Sequence, residues 1–162
     1  MSVTRNRNTA ALGVSIGTAL AFSAVYGLYL WKAWTPGTDW IEINRLIIAD
    51  TEVGGDPRII YERKFLADAP GTWAVNVFKH RDKADTVGVL YCSGSGQASY
   101  KAGRTLPPDA ITLSWLMGKP CYFERGTYRT VVTVIINPPG YPAKVIEKES
   151  NYFVVPPQKE TP

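Results

Sequence analysis

TYRTVVTVII (127–136) is the stretch whose reading decides the fold, because its run of β-branched residues between Gly126 and the turn Asn137-Pro138-Pro139-Gly140 is the strongest strand pattern in the chain. Working outward, a last strand is expected over about 144–155, carrying Val145, Tyr152, Val154 and Val155. Upstream, TWAVNVFKH (72–80) alternates Trp73, Val75 and Val77 against Ala74, Asn76 and Phe78, a period of two rather than 3.6. TVGVLYCS (86–93) repeats that pattern and closes into a flexible Gly/Ser loop, Ser93-Gly94-Ser95-Gly96. Before these, WIEINRLIIA (40–49) and RIIYERKF (58–65) read as strands joined by the turn Glu52-Val53-Gly54-Gly55-Asp56-Pro57, and Asp68-Ala69-Pro70-Gly71 turns into the next. In 97–119, SYKAGRTL reads as a short edge strand. AITLSWLMG reads as a strand, with Ile111, Leu113 and Trp115 at period two, or as a helical turn capped by Asp109. About seven strands with turns every 8–12 residues predict an all-β, antiparallel sandwich over residues 40–155.

The Gly126-Thr127-Tyr128 opening of the penultimate strand resembles the tyrosine corner of immunoglobulin-like and fibronectin III-like domains, and Trp73 stands where such domains bury a tryptophan. The resemblance implies an architecture and a structural role for the Tyr128 hydroxyl. Cys92 and Cys121 depart from the usual cysteine positions, so it names no particular family and transfers no function.

At the other end, residues 10–31 (AALGVSIGTALAFSAVYGLYLW) carry no charge. As a helix rising ~1.5 Å per residue they would reach about 33 Å, enough for the ~30 Å hydrocarbon core of a bilayer. The expectation is a transmembrane signal-anchor helix with residues 1–9 as a cytoplasmic tail, 32–39 as a short juxtamembrane linker and 156–162 as a frayed tail. Arg5 and Arg7 before the run, and Tyr26, Tyr29, Trp31, Trp34 and Trp40 at its far end, orient it N-in and C-out in a bacterial inner membrane, with the domain in the periplasm. Cleavage after Ala19-Leu20-Ala21 is the alternative. Gly13, Gly17 and Ala21 recur every fourth residue, a small-residue face that would allow homo-oligomerisation through the span.

Composition narrows the function classes. The formal net charge is +4, but from residue 35 onward it is only +1, so nucleic acid is not an expected partner. The cluster Lys79-His80-Arg81-Asp82-Lys83, with Asp85 just beyond, reads as a solvated turn. Two cysteines in a domain placed outside the cytoplasm predict a Cys92–Cys121 disulfide, worth about 3–4 kcal/mol in the chain-entropy model. With one histidine and no C-x-x-C or H-x-x-H spacing, no metal site and no cofactor are expected. The chain has no N-x-S/T sequon, which fits a bacterial periplasm.

Catalytic arrangements fare no better. Gly94-Ser95-Gly96 lacks the outer glycines and the helix of a nucleophile elbow, and His80, flanked by Arg81 and Lys83, reads as a surface residue without an orienting acid. Glu147 and Glu149 share one strand face beside Lys144 and Lys148, as a solvated edge would. Gly54-Gly55-Asp56 reads as a hairpin turn. Trp115, Tyr91, Tyr100, Tyr122, Phe123, Tyr141, Tyr152 and Phe153 supply either a sandwich core or an aromatic contact surface. The expectation is a non-catalytic, membrane-anchored interaction or accessory protein with an envelope protein as partner. A tethered hydrolase using a Ser-Lys or carboxylate pair is the alternative, and a structural subunit oligomerising through its helix is the second.

Overall fold

The structure, a computed structural model, describes residues 7–105 and 111–157, with side chains at residue 18 and from residue 20 onward. It divides into two compact units, Met1–Thr35 and Pro36–Pro162.

The first unit contains one helix, α1 (Arg7–Trp34). Among the described residues no helix is long and apolar enough to cross a membrane, and this corrects the expected transmembrane span over 10–31. In the later half of α1 the Leu, Val and Phe residues are diluted by Ser23, Tyr26, Gly27, Tyr29 and Lys32, which lowers the apolar character a span requires. Of the small-residue face, Gly13 and Gly17 lie outside the described side chains, and Ala21 is exposed.

The second unit is two antiparallel sheets facing each other as a sandwich. One holds β1 (Ile41–Ile48), β2 (Arg58–Phe65) and β5 (Ile111–Thr112), in the order β1-β2-β5. The other holds β3 (Ala69–His80), β4 (Val89–Tyr100), β6 (Gly126–Ile136) and β7 (Lys144–Glu149), in the order β4-β3-β6-β7, with β8 (Phe153–Val155) also pairing β6. β7 and β8 continue one another along the same edge of β6: Val131 to Ile136 pair with β7, and Gly126 to Tyr128 pair with β8. The expected last strand is thus present, with a break at 150–152.

Alternation sets the core. On β3 and β6, Val75, Val77, Tyr128, Val132, Val134 and Ile136 turn inward and are buried. On β1 the apolar spacing breaks phase between Ile43 and Leu46, and a register shift between Ile43 and Arg45 restores it, so that Ile41, Leu46 and Ile48 all reach the core. Trp40, expected at a membrane interface, instead packs edge-on to Tyr141 at 5.3 Å between ring centroids.

Two local expectations are corrected. Ser93-Gly94-Ser95-Gly96 is not a loop: it lies inside β4, with Gly94 opposite Val75 and Gly96 opposite Trp73. A Cβ on Gly94 would sit 2.2 Å from the Met117 carbonyl oxygen, and one on Gly96 would sit 2.9 Å from the Trp73 ring. Glycine stands there because another backbone and an indole lie flat on the strand. The backbone approaching Gly94 belongs to α2 (Leu113–Met117), where the period-two reading predicted a strand. Among the described residues of that segment, Ile111 and Thr112 pair with β2. Thr112 then caps the helix by accepting from Trp115 N, and Gly118 closes it at φ 70°. Asp109, the expected cap, lies outside the described residues.

Candidate functional site

Three features of the sandwich could meet another molecule: the outer edge of β4, a basic groove beside its start, and a cleft between the sheets.

Among the described residues, β3 is the only strand that pairs with β4, which leaves its other edge open. A register shift between Val77 and Phe78 makes Tyr91 the extra residue of a bulge, and the chain before it turns apolar side chains to solvent. Val87 is 80 % exposed, Val89 73 % and Leu90 55 %. The Cys92–Cys121 disulfide, with Cα atoms 6.5 Å apart, ties this edge to the segment after α2. The Tyr91 hydroxyl donates to the Tyr122 carbonyl at 2.7 Å, so the exposed Tyr122 is held beside the same edge.

Val87 and Val89 also border an open groove of about 550 Å³, whose other walls include Lys79, His80, Arg81, Arg125 and Asp85. Its floor is fixed by hydrogen bonds of the 80–87 turn. Asp82 Oδ1 accepts from Ala84 N and Asp85 N. Asp85 accepts from Arg81 N through Oδ2 and from Val87 N through Oδ1, and these two bonds hold its carboxyl below the ordinary value. His80, expected at the surface, is buried. Its Nδ1 donates to the Asp85 carbonyl at 2.8 Å, its ring packs edge-on to Tyr152, and Gly88 covers its Nε2. It is therefore a packing residue under the groove rather than a solvated one. Of the cations, Lys79 pairs with Glu124 at 3.3 Å, whereas Arg81 and Arg125 form no ion pair among the described residues.

Behind the groove sits an aromatic cluster. Tyr128 stacks on Phe153 and meets Phe123 and Tyr91 edge-on, and its hydroxyl donates to the Glu124 carbonyl at 2.9 Å. Burial pushes its hydroxyl pKa far up, so it stays a donor at any physiological pH. The aromatic residues thus divide. Tyr100, Phe123 and Phe153 are core, and Trp115 and Tyr122 are exposed.

The third feature lies between the inward face of β2 and the second sheet. There Tyr61, Arg63, Trp73, Tyr100, Trp115 and Leu116 line a cavity of about 220 Å³. A second of about 210 Å³ shares Arg63, Ala98 and Tyr100 and adds Lys101 and Arg104. Ile59, Tyr61, Arg63 and Phe65 occupy the inward positions of β2, so Arg63 stands where the alternation calls for an apolar residue. Its guanidinium lies 5.1 Å from the centroids of both the Tyr61 and Phe65 rings. Burial raises the Tyr61 hydroxyl above its ordinary value, and the charge and hydrogen bonding of the nearby Arg63 offset part of the rise.

The remaining sequence candidates have structural duties. Glu149 pairs with Arg129, and Glu147 accepts from Thr133 Oγ1 at 3.2 Å. Asp56 accepts from Ser114 N at 3.0 Å, which pins the start of α2 to the turn after β1. Among the described residues no group of three or more His, Cys, Asp or Glu side chains could hold a metal ion. Arg63 and Tyr61 escaped the sequence reading, although an arginine in the inward phase of RIIYERKF was a usable signal. Comparison with protein-family models, with curated proteins and with solved structures found no match.

Proposed function

We propose that this chain is a non-catalytic interaction module of the immunoglobulin-like kind, working in an oxidising extracytoplasmic compartment such as the bacterial periplasm. On this reading it binds an extended segment of an envelope protein along the edge of β4. The observation that carries the reading is that edge: a strand without a second partner among the described residues, presenting Val87, Val89 and Leu90 beside a groove with two arginines, Arg81 and Arg125, that form no ion pair among the described residues. An open edge supplies a row of backbone donors and acceptors to an incoming strand, and the pockets beside it read alternate side chains. The chemistry that suits both is a segment alternating apolar residues with acids, the acids meeting Arg81 and Arg125. Soluble sandwiches ordinarily blunt such edges with lysine or proline, and the start of β4 has neither. The disulfide supports the compartment, since such bonds persist where thiols are not kept reduced. The strand order β1-β2-β5 against β4-β3-β6-β7, with Tyr128 bonded back to Glu124, supports the immunoglobulin-like assignment.

A photo-crosslinking residue at Leu90, with Val145 on the exposed opposite edge as control, tests the reading in intact cells. The expected result is a discrete protein adduct from position 90 alone, abolished by Val89→Lys and weakened by salt. Adducts of equal yield from both edges, or an adduct indifferent to Val89→Lys, would refute it.

A further inference from the structure

We infer that the turn from Arg81 to Gly88 is a pH-sensitive latch on the start of β4, closed over the neutral His80 ring and opened when that ring takes a second proton. His80 is the only histidine in the chain, and histidine is the side chain whose charge ordinarily changes between about pH 5 and 8. It ends β3, yet it is only 6 % exposed, because the turn folds back over it. Its Nδ1 donates to the Asp85 carbonyl at 2.8 Å, and the Tyr152 hydroxyl donates to the same oxygen at 3.4 Å. The neutral ring therefore carries its proton on Nδ1 and its lone pair on Nε2.

That second nitrogen is sealed. Nε2 is buried and has no hydrogen-bond partner among the described residues. Gly88 closes on it so tightly that a Cβ there would lie 2.6 Å from Nε2, and Tyr152 packs edge-on to the ring at 5.1 Å between centroids. A dry lone pair costs far less than an imidazolium N–H in the same place, which would be a buried donor and a buried charge with nothing to receive them. The closed turn thus accommodates one protonation state and not the other. Opening, which admits water to Nε2, is the response that removes the penalty.

The surrounding charges do not supply the missing acceptor. Lys79 and Arg81 flank His80 in the chain, Lys83 belongs to the turn, Arg125 lines the same groove, and Arg129 lies 5.3 Å from the centroid of the Tyr152 ring. Asp85 draws a charged ring, but its two carboxylate oxygens are spent on Arg81 N and Val87 N. Asp82 binds the N–H groups of Ala84 and Asp85, while Glu124 and Glu149 pair with Lys79 and Arg129. Gly88 stands between Val87 and Val89, the residues that present the β4 edge, so opening of the turn displaces that edge. The release of a bound segment by acid rests on the function proposed above; the latch itself needs no partner.

The test is ¹⁵N relaxation of the oxidised full chain at pH 7.5 and pH 5, with no partner present, so its outcome is separate from what the β4 edge binds. The His80 ring resonances should titrate between those values. Amide order parameters over 82–88 should fall with them from about 0.85 to below about 0.6, while those of β6 stay rigid. Asp85 does not titrate in this window, since its carboxyl is held below the ordinary 3.8. His80→Asn, which keeps a donor for the Asp85 carbonyl and cannot titrate, should leave 82–88 equally ordered at both pH values. Gly88→Ala, whose methyl would meet Nε2, should loosen the turn already at pH 7.5. A ring that titrates without loss of order, a ring that does not titrate above pH 5, or a His80→Asn protein that loosens as the parent does would overturn the inference. Should His80→Asn fail to fold by near-ultraviolet circular dichroism, a turn in Gly88→Ala as ordered as the parent's at pH 7.5 overturns it instead.

Discussion

Gly94→Ala puts the least expected element of the fold under direct strain. If Ser93-Gly94-Ser95-Gly96 were a surface loop, an added methyl would be harmless. At a backbone angle that alanine can adopt it would even stabilise by about 0.4–1 kcal/mol, through the lost freedom of the unfolded chain. Gly94 has such an angle, because the described glycines at positive φ are Gly54, Gly103, Gly118 and Gly140. In the sandwich, however, the new Cβ would lie 2.2 Å from Met117 O, 2.7 Å from its Cα and 2.8 Å from its C. These are backbone atoms at the end of α2, and the Cys92–Cys121 bond restrains the chain just beyond them. Overpacking of this kind costs about 1–3 kcal/mol, so after the entropic gain the expected net loss is about 1–2 kcal/mol. In urea, with a slope of ~1–3 kcal/mol/M, the midpoint should fall by about 0.5–1 M at unchanged slope. Ser95→Ala, one residue on and pointing to solvent, should stay within about 0.5 kcal/mol of the parent. Gly96→Ala should fall between them, since the Trp73 ring it meets at 2.9 Å is a side chain that can give way. A Gly94→Ala protein as stable as the parent, or more so, would refute the close approach of α2 to β4.

Reduction of Cys92–Cys121 opens a bridge between residues 29 apart, and the chain-entropy estimate is a loss of about 3.6 kcal/mol, read from urea midpoints with and without reductant. Asn151→Ala removes side-chain bonds to both the N–H and the carbonyl of Ile48, which join the β7–β8 break to β1 in the opposite sheet; about 2–3 kcal/mol should be lost in the same assay. Tyr128→Phe should cost about 1 kcal/mol for its bond to Glu124 O, with the aromatic cluster otherwise intact by near-ultraviolet circular dichroism. Asp68 and Asp85 are both held below the ordinary 3.8, Asp68 chiefly by Ala102 N and Asp85 chiefly by Arg81 N. Their folded values are depressed, so the stability they contribute is present above about pH 4 and lost as pH falls through those values. Thermal midpoints between pH 5 and pH 2 should therefore decline less steeply in Asp85→Asn than in the parent.

Much of the strand content was legible from period two alone. In 72–80 and 127–136 each residue sees a core on one side and solvent or a neighbouring strand on the other, and that local pattern survives any choice of partner. The cysteine pair was legible because only two cysteines existed to meet. The glycines of β4 misled, since glycine signals a turn to any local rule, while here it answers to a helix about twenty residues further along the chain. The Ile111, Leu113, Trp115 alternation misled for a related reason. Leu113, Leu116 and Met117 are buried on α2, and five residues are too few for period two and period 3.6 to be told apart. His80 was read from its charged neighbours and placed by Tyr152 and Gly88, neither of which is near enough in sequence to be weighed. Residues 10–31 were read as a bilayer span from their lack of charge, but no described helix carries enough apolar length to cross one.

The sequence by itself determined the antiparallel character of the domain, its disulfide and the inward set on its longest strands, because alternation and cysteine count are properties of the chain that need no partner. Tertiary structure decided what the described strands leave uncovered: a β4 edge without a second partner strand among the described residues, beside a groove that holds Arg81 and Arg125. That feature depends on which elements meet, and it arises only when distant segments are brought together in space.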